Sequence, residues 1–196
     1  SRLSKEACAP PKVDIIIPTW NNPRLLQECI KSIRLNTDWP YNIIVINSGS
    51  DDIDGWLLSQ PDIVFQTAPN RLHFSAAIHA GLAISKEKFV CFLNDDTIVA
   101  KHWLSALMHE AMKPGVGAVN PWSNCDLGWL HNEECVVDGV RLRPGMTYDD
   151  VKDIIPKLYD QQHKKVVTKQ DWVAFFCTVL PREAIDKVGT LDENFK

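Results

Sequence analysis

Apolar runs separated by polar segments dominate the first half of the chain. Residues that are mostly β-branched or otherwise apolar fill 13–17, 42–46, 63–66 and 89–93, and polar segments follow these runs. Short runs without a regular polar alternation are typical of strands that are buried on both faces. The pattern therefore predicts four buried strands whose carboxyl ends open into polar loops.

Stretches with helical spacing of apolar residues lie between and after these strands. They predict helices over 23–34 and 75–85, and a third helix that runs from Trp103 to Ala111. Asn22 and Pro23 fit the N-cap and the first position of the first helix. Strands that alternate with helices in this way favour a parallel α/β sheet.

The pattern becomes less regular beyond residue 112. Residues 121–146 lose all periodicity and are interpreted as an inserted loop region, and long irregular loops inside compact domains are often functional. Thr147 with Asp150 resembles a capping box at the start of another helix. The remaining patterns predict strands over 116–119 and 172–180 and a short helix over 181–188 that Gly189 ends.

Two adjacent carboxylates, Asp95 and Asp96, come directly after the strand predicted over 89–93. Open α/β sheets bind their ligands at the carboxyl ends of strands. Because neighbouring carboxylates repel each other, a pair at such a position needs hydrogen bonds, water or a divalent cation, and hard oxygen ligands favour Mg²⁺ or Mn²⁺. The alternative is an Asp-rich turn in which Asp96 or Thr97 begins the next helix.

The size and charge of the chain exclude some classes of function. A chain of 196 residues with 45% hydrophobic and 23% charged residues is expected to form one ordinary globular domain. The net charge of -4 and the pI near 5.8 leave no basic face for a phosphate backbone. We therefore expect no nucleic-acid partner.

Hydropathy and cysteine usage bear on the compartment. No stretch approaches eighteen consecutive apolar residues, and the first residues lack the apolar centre of a signal peptide. The six cysteines form no C-x-x-C pair, and Cys29, Cys91 and Cys177 lie in apolar runs where they would pack as reduced, small hydrophobic residues. The expectation is a cytoplasmic protein with no membrane segment in this chain.

Five ordered motifs give the chain a recognisable family signature, because their order and spacing together are specific although each alone is weak. The chain resembles the inverting glycosyltransferases of family 2, and the resemblance extends from Val13 to the last residue. The motifs are Ile-Ile-Ile-Pro-Thr-Trp-Asn at 15–21, Asn-Ser-Gly-Ser-Asp-Asp at 47–52, Asn70-Arg71 with Phe74, Leu-Asn-Asp-Asp-Thr at 93–97, and Phe-Cys-Thr-Val-Leu-Pro-Arg-Glu-Ala followed by Gly-Thr-Leu-Asp-Glu-Asn-Phe.

The resemblance implies the GT-A fold, which is a Rossmann-like, mostly parallel sheet with helices on both faces. Residues 1–12 would be an N-terminal lead-in, and 13–196 a single glycosyltransferase domain. Within it, about 13–120 would form the nucleotide-binding part and about 121–196 the acceptor side. The implied activity is metal-dependent transfer of a sugar, with inversion, from a nucleoside diphosphate sugar to a glycan or other hydroxyl acceptor.

The resemblance also implies roles for seven residues of a donor site that uses Mn²⁺ or Mg²⁺. Asp96 would ligate the metal that bridges the diphosphate, and Asp95 would reach the ribose. Ser48 stands where relatives often carry Asp or Asn, which leaves the base open, although a UDP-sugar is the first donor expected. The other four residues are Pro18 and Thr19 at the nucleobase, and Asn70 and Arg71 at the base and diphosphate, where Arg71 could equally be a solvated surface charge.

Two departures from the family bear on catalysis. The general base of relatives lies a few residues beyond the segment matched by 191–195, so the catalytic base is expected beyond Lys196, and the chain is expected to be part of a longer enzyme. Phe175 stands where relatives usually have Gly beside the acceptor site, and its ring would narrow that pocket. The alternative function is a binding module with this fold that holds a sugar nucleotide or glycan without turnover.

The predicted loop region contains residues with two interpretations each. Trp122 and Trp129 could stack on a sugar or pack back on the domain. His131 with Glu133 and Glu134 could complete a metal shell, although a solvated loop is the more common arrangement for such residues. Asp192 and Glu193 match a structural pair of the family and are not assigned as the base.

Overall fold

A five-stranded sheet forms the centre of the protein in the computed structural model. The structure describes residues 9–49, 53–121, 123, 136–137, 140–143, 145–157 and 174–192. The strands of this sheet are β1 (Val13–Thr19), β2 (Tyr41–Asn47), β3 (Ile63–Thr67), β4 (Phe89–Leu93) and β7 (Cys177–Pro181). They lie side by side in the order β3-β2-β1-β4-β7. Two further strands, β5 (Val136–Val137) and β6 (Val140–Arg141), pair with each other in a separate hairpin. The helices are α1 (Pro23–Asn36), α2 (Asp54–Leu58), α3 (Phe74–Ile84), α4 (Trp103–Ala111), α5 (Tyr148–Val151) and α6 (Arg182–Val188).

The first four strands confirm the mostly parallel α/β prediction. β1 pairs in parallel with both β2 and β4, and β2 pairs in parallel with β3. Among the described strands of this sheet, only β7 runs antiparallel, against β4. The burial of β1 and β4 on both faces explains why their sequences are nearly continuous apolar runs.

Helices cover both faces of the sheet, because alternate side chains of each strand point to opposite sides. Ile15 and Ile17 pack in a core with α1 and α4, whereas Ile16 packs in a second core with α3. Gly81 of α3 lies so close to β1 that an added Cβ would sit 2.3 Å from Ile16 Cγ2. The small residues of the predicted 75–85 helix therefore permit a close helix-to-sheet contact.

The strand order changes direction at β1. Along the chain, β1 is followed by β2 and then β3, which lie successively farther from β1 on one side of it. The next strand, β4, lies on the other side of β1. Such a switch point leaves a crevice at the carboxyl ends of the two diverging strands, which is where open α/β sheets bind ligands. Thr19 ends β1, and Asp95 and Asp96 follow β4 at this edge.

Several predicted elements differ from the structure. Residues 116–119 form no regular strand, and Val119 makes only an isolated bridge to Val179. The last strand is shorter than the predicted 172–180, because 174–176 precede it as coil and turn. The helix α2 was not predicted, since five residues give too little periodicity to detect. The alternative that Asp96 or Thr97 begins a helix is wrong, because α4 begins at Trp103.

Two predicted helix starts have different outcomes. Thr147 accepts a hydrogen bond from the Asp150 backbone N–H, and the Asp150 carboxylate accepts one from the Thr147 N–H, which confirms the capping box. Asn22 occupies the N-cap position of α1, but its side chain makes no capping hydrogen bond. An unused cap of this kind forgoes about 1 kcal/mol of helix stability. No helix of the described ranges is both long and apolar enough to cross a membrane.

Candidate functional site

The carboxylate pair lies at the switch point, and β1 holds one member of it directly. Thr19 Oγ1 donates a 2.6 Å hydrogen bond to Asp95 Oδ2, which ties the end of β1 to the end of β4. Asp95 is half-buried, whereas Asp96 is exposed. The backbone N–H of Asn94 donates to the Phe176 carbonyl at 2.8 Å, which fixes the other side of the turn. The two adjacent carboxylates therefore have different environments.

Opposing influences set the proton affinity of Asp95. Burial raises the pKa of this carboxyl above its ordinary value, and the charge of Asp96 raises it further. The hydrogen bond from Thr19 and, more weakly, the nearby amide of Asn22 lower it, because they stabilise the ionised form. Burial and, next, the nearby charge of Asp95 also raise the pKa of the Cys29 thiol. Cys29 is a free, buried cysteine in the core with Ile15 and Ile17, which confirms the prediction that it packs as a small hydrophobic residue.

The residues around this pair fit one kind of metal site. In the part of the chain that the structure describes, no group of three or more His, Cys, Asp or Glu side chains is placed to form a protein-only metal cage. Mg²⁺ and similar hard cations are commonly held by one or two carboxylates, with water and substrate phosphates as the other ligands. The exposed carboxylate of Asp96, beside the half-buried Asp95, suits that arrangement.

A cleft of about 350 Å³ lies at the loop that follows β1. It is next to the pair along the chain, because Trp20 lines the cleft and directly follows Thr19, which bonds Asp95. A volume of this order lies in the range of pockets for small ligands. The residues that line the cleft are Trp20, Asn21, Ser48, Gly49, Pro69, Asn70 and Arg71.

An aromatic ring and a cation form one wall of this cleft. The guanidinium carbon of Arg71 lies 3.5 Å from the centroid of the Trp20 ring, which is a stacked cation–π contact. Both side chains are exposed, and 42% of the Trp20 surface is open to solvent. Arg71 is therefore packed against the cleft wall and keeps its charge at the opening.

A tight contact between two loops forms another part of the cleft lining. Ser48 is buried, and its hydroxyl donates to the Thr19 carbonyl at 3.2 Å, while its backbone N–H donates to the same oxygen at 3.0 Å. A Cβ on Gly49 would lie 2.4 Å from Asn21 Oδ1 and 2.8 Å from Asn21 N. Only glycine permits this approach, so the two loops enclose the cleft as one unit.

A partly buried hydrogen-bond network holds one of these loops. Asp54 Oδ1 accepts hydrogen bonds from the Asn47 side-chain amide at 2.9 Å and from the Thr67 hydroxyl at 2.7 Å. The Asn47 side-chain oxygen accepts the Gly49 N–H at 3.1 Å. The network joins the ends of β2 and β3 to the start of α2, and it holds the loop that carries Ser48.

The structure brings most of the predicted site residues together in two adjoining groups. Ser48, Asn70 and Arg71 line the cleft, while Thr19, Asp95 and Asp96 lie at the switch point. Pro18 is half-buried within β1 and is not among the cleft-lining residues. The predictions gave no site role to Trp20, Asn21 and Pro69, which also line the cleft, although the aromatic and amide residues that directly follow β1 were a usable signal.

Other predicted features lie outside this site or outside the described residues. Trp122, Trp129, His131, Glu133 and Glu134 lie outside the described residues, as do the polar residues 50–52. The Phe175 ring stacks on Phe92, with centroids 6.0 Å apart, and packs against the second core. At least part of the Phe175 ring therefore packs against the core.

Comparison with known proteins gives this site a family context. The family model described as Glycosyl transferase family 2 matches residues 14–189. An uncharacterized protein of Sinorhizobium fredii, y4gI, is 29% identical over 199 residues, covering 94% of this chain and 21% of that protein. The O-antigen biosynthesis protein RfbC of Myxococcus xanthus is 24% identical over 194 residues, covering 95% of this chain and 15% of RfbC. The chain thus spans about a fifth or less of the length of these relatives.

A solved structure shares the architecture. The chain superposes on the mannosyltransferase PcManGT of Pyrobaculum calidifontis, solved with GDP-Man and Mn²⁺, with a TM-score of 0.63 and 20% identity over 95% of this chain and 49% of that one. This likeness agrees with the mostly parallel, two-faced α/β sheet and identifies the fold as GT-A. Because the family model covers nearly the whole chain, this protein belongs to Glycosyl transferase family 2.

Proposed function

We propose that this domain binds a nucleoside diphosphate sugar together with Mn²⁺ or Mg²⁺ and transfers the sugar, with inversion, to a hydroxyl group of a carbohydrate acceptor. The observation that carries the proposal is the Thr19 to Asp95 hydrogen bond, because it ties Asp95 to the end of β1, and the residue that follows, Trp20, lines a cleft large enough for a small ligand. Family membership supports the same chemistry.

The two parts of the site suit the two parts of a nucleotide. A planar base can enter the cleft beside Trp20, whose exposed ring offers a stacking surface. Asn70 supplies amide hydrogen-bonding groups at the same opening, and Arg71 supplies a charge-assisted donor for phosphate. In this proposal Pro18 and Thr19 contribute to the floor of the base site.

The carboxylates take the charged part of the donor. Asp95, half-buried and fixed by Thr19, would accept hydrogen bonds from ribose hydroxyls, and Asp96 would hold the cation. When bound, Mn²⁺ or Mg²⁺ supplies Lewis-acid stabilisation of charge on the departing diphosphate. Ser48 has no carboxylate, although relatives often carry Asp or Asn at this position. Its hydroxyl already donates a hydrogen bond to the Thr19 carbonyl. Ser48 would therefore hold the loops of the cleft together and would add no charge to the donor site.

The remaining assignments follow the family. We propose that residues 13–120 bind the donor, that 121–196 contribute to the acceptor side, and that the general base comes from a longer chain beyond Lys196. A UDP-sugar is the first donor to test, and a GDP-sugar is the second, because the structural neighbour was solved with GDP-Man. We place the domain in the cytoplasm, where nucleotide sugars are accessible to it.

Replacing Arg71 with glutamine is expected to weaken the binding of UDP or GDP, measured by isothermal titration calorimetry with Mn²⁺, by about tenfold. The change keeps a hydrogen-bonding group but removes the charge and the stack on Trp20, and a hydrogen bond to a charged group contributes about 1.5–3 kcal/mol. Nucleosides without phosphate should bind the variant and the wild type with more similar affinities.

Arg34→Gln is a matched control for this change. Arg34 is also an exposed arginine with a partner, since it forms a 2.6 Å ion pair with Asp62 at the other end of α1, away from the cleft. Its replacement should leave nucleotide affinity unchanged. If Arg71→Gln binds the diphosphate as tightly as the wild type, Arg71 is a surface charge and has no role in donor binding.

A further inference from the structure

A second cavity, of about 220 Å³, lies at the opposite end of α1 from the donor cleft. It is bordered by the end of α1, by the loop that precedes α4, and by α5 with the residues that follow it. α1 begins two residues after Asn21 of the cleft, and its 14 residues rise about 20 Å to Asn36, which lines this cavity. The two sites have no lining residue in common, so the cavity is separate from the donor cleft.

The charges around this cavity favour an anion. Among the described residues that line it, two are lysines and none is acidic. Lys152 Nζ lies 3.3 Å from the Asp149 carboxylate, and the His102 ring contacts the Asp38 carboxylate. Lys101 forms no ion pair with any residue that the structure describes. Lys101 is therefore the uncompensated charge at the cavity.

Tyr148 adds a hydroxyl that is only weakly engaged. The hydroxyl oxygen lies 3.4 Å from Asn36 Oδ1, beyond the range of about 2.5–3.0 Å that is usual for a hydrogen bond between two oxygens. Asn36 is buried, and its amide group donates to the Val99 carbonyl at 2.9 Å, which fixes the orientation of the amide. Because a carboxylate is a stronger acceptor than an amide carbonyl, the Tyr148 hydroxyl can turn to a bound anion.

The rest of the lining is mostly apolar. Ala100, Ile155 and Pro156 contribute side chains without polar atoms, and the Tyr148 ring lies among them. An apolar protein cavity of about 150 Å³ is large enough to bind benzene. A cavity of about 220 Å³ therefore has room for one ring and a small acidic group.

We propose that this cavity is a second ligand site, which binds a monocarboxylate carried on a single apolar ring. The carboxylate would lie between Lys101 and Lys152 and accept a hydrogen bond from the Tyr148 hydroxyl. The ring would pack against Ala100 and Ile155. A monocarboxylate matches the single uncompensated lysine better than a phosphate monoester does, because the monoester carries nearly two negative charges at neutral pH.

This inference does not depend on the proposed function. The length of α1 separates the cavity from the donor cleft, so its ligand would not be the sugar acceptor. Three segments that are distant in sequence form the cavity, so a bound ligand would hold them together and act as an effector of the domain.

The test uses three probes that separate the ring from the charge. Binding of phenylacetate, phenylacetamide and acetate to this chain is measured by ligand-detected NMR titration. Phenylacetate should bind with a dissociation constant on the order of 1 mM or below, and the other two should bind at least about tenfold more weakly. Saturating UDP or GDP with Mn²⁺ should leave the affinity for phenylacetate unchanged.

Four variants assign the binding to this cavity. Lys101→Gln and Tyr148→Phe should each weaken phenylacetate binding by about fivefold and leave the weak binding of phenylacetamide unchanged. Ala100→Leu fills the cavity, so it should abolish phenylacetate binding in a protein whose circular dichroism matches the wild type. Lys113→Gln is the matched control, because Lys113 is an exposed lysine beyond the other end of α4, paired with Glu110 at 2.6 Å, and its loss should have no effect.

The outcomes decide the proposal. No binding of phenylacetate at about 10 mM, tenfold above the expected constant, would overturn it. It is also overturned if the Lys101, Tyr148 and Ala100 variants keep the wild-type affinity, if the Lys113 control weakens binding equally, if nucleotide competes with phenylacetate, or if phenyl phosphate binds more tightly. A chain that binds no nucleotide but binds phenylacetate with the expected variant pattern would lose the proposed function and retain this second site.

Discussion

Replacing Asp96 with alanine is expected to abolish the metal-dependent part of nucleotide binding. Asp96 is the exposed carboxylate of the pair, and no cluster of other ligands among the described residues could take over the cation. A ligand at one hundred times its dissociation constant stabilises the folded state by about 2.7 kcal/mol. For a chain of this size that corresponds to an increase of about 5–10 °C in melting temperature.

The measurement is a thermal-shift panel of UDP, GDP, dTDP and CDP, each with and without Mn²⁺. One nucleotide should stabilise the wild type only when metal is present, and Asp96→Ala should lose that shift. Asp153→Ala is the control, because Asp153 is exposed and lies after α5, outside the cleft lining. A metal-dependent shift that survives in Asp96→Ala would remove Asp96 from the metal site.

Replacing Gly49 with alanine is expected to lower both stability and nucleotide affinity. The added Cβ would lie 2.4 Å from the Asn21 side-chain oxygen and 2.8 Å from the Asn21 backbone nitrogen. The side chain can turn away, but the backbone atom belongs to the loop that directly follows β1. Overpacking of this kind costs about 1–3 kcal/mol, or roughly 2–12 °C in melting temperature for a chain of this length.

Nucleotide affinity should fall by about tenfold, since the displaced loops form one wall of the cleft. Gly117→Ala is the matched control, because a Cβ at Gly117 meets nothing within 4 Å and the residue is exposed. Thermal melting and calorimetric titration check the two variants together. A Gly49→Ala protein that melts with the wild type and binds nucleotide normally would show that the loop contact is not needed.

The parts of the fold that could be predicted are those in which burial dictates the sequence. β1, β2 and β4 are mostly buried on both faces, so apolar residues predominate in them, and the strand predicted over 89–93 matches β4. Residues 116–119 are apolar too, but they form only a bridge at Val119. A segment forms a regular strand only where its backbone hydrogen-bonds to a neighbouring strand. The apolar composition of a segment does not show whether such a neighbour is present.

The candidate site was predictable as far as its residues directly follow a predicted strand or belong to a family motif. The end of β4 placed Asp95 and Asp96, and the motif around Asn70 and Arg71 placed two cleft residues. A glycine that allows close backbone approach was predicted at Gly49, but its partner Asn21 was not predictable, because that contact joins loops that are distant in sequence. The 2.4 Å approach of Gly49 to Asn21 exists only once β1 and β2 are paired.

The donor site is tested most directly by locating the metal. Crystals of this chain grown with Mn²⁺ and UDP, or GDP if that nucleotide binds more tightly, would be measured at a wavelength where manganese scatters anomalously. We expect one strong anomalous peak about 2.1 Å from an Asp96 carboxylate oxygen, the distance expected for a hard cation of this size. The diphosphate should lie on the other side of the metal, and the base should lie in the cleft beside Trp20. A nucleotide bound elsewhere, or a manganese peak away from Asp96, would contradict it.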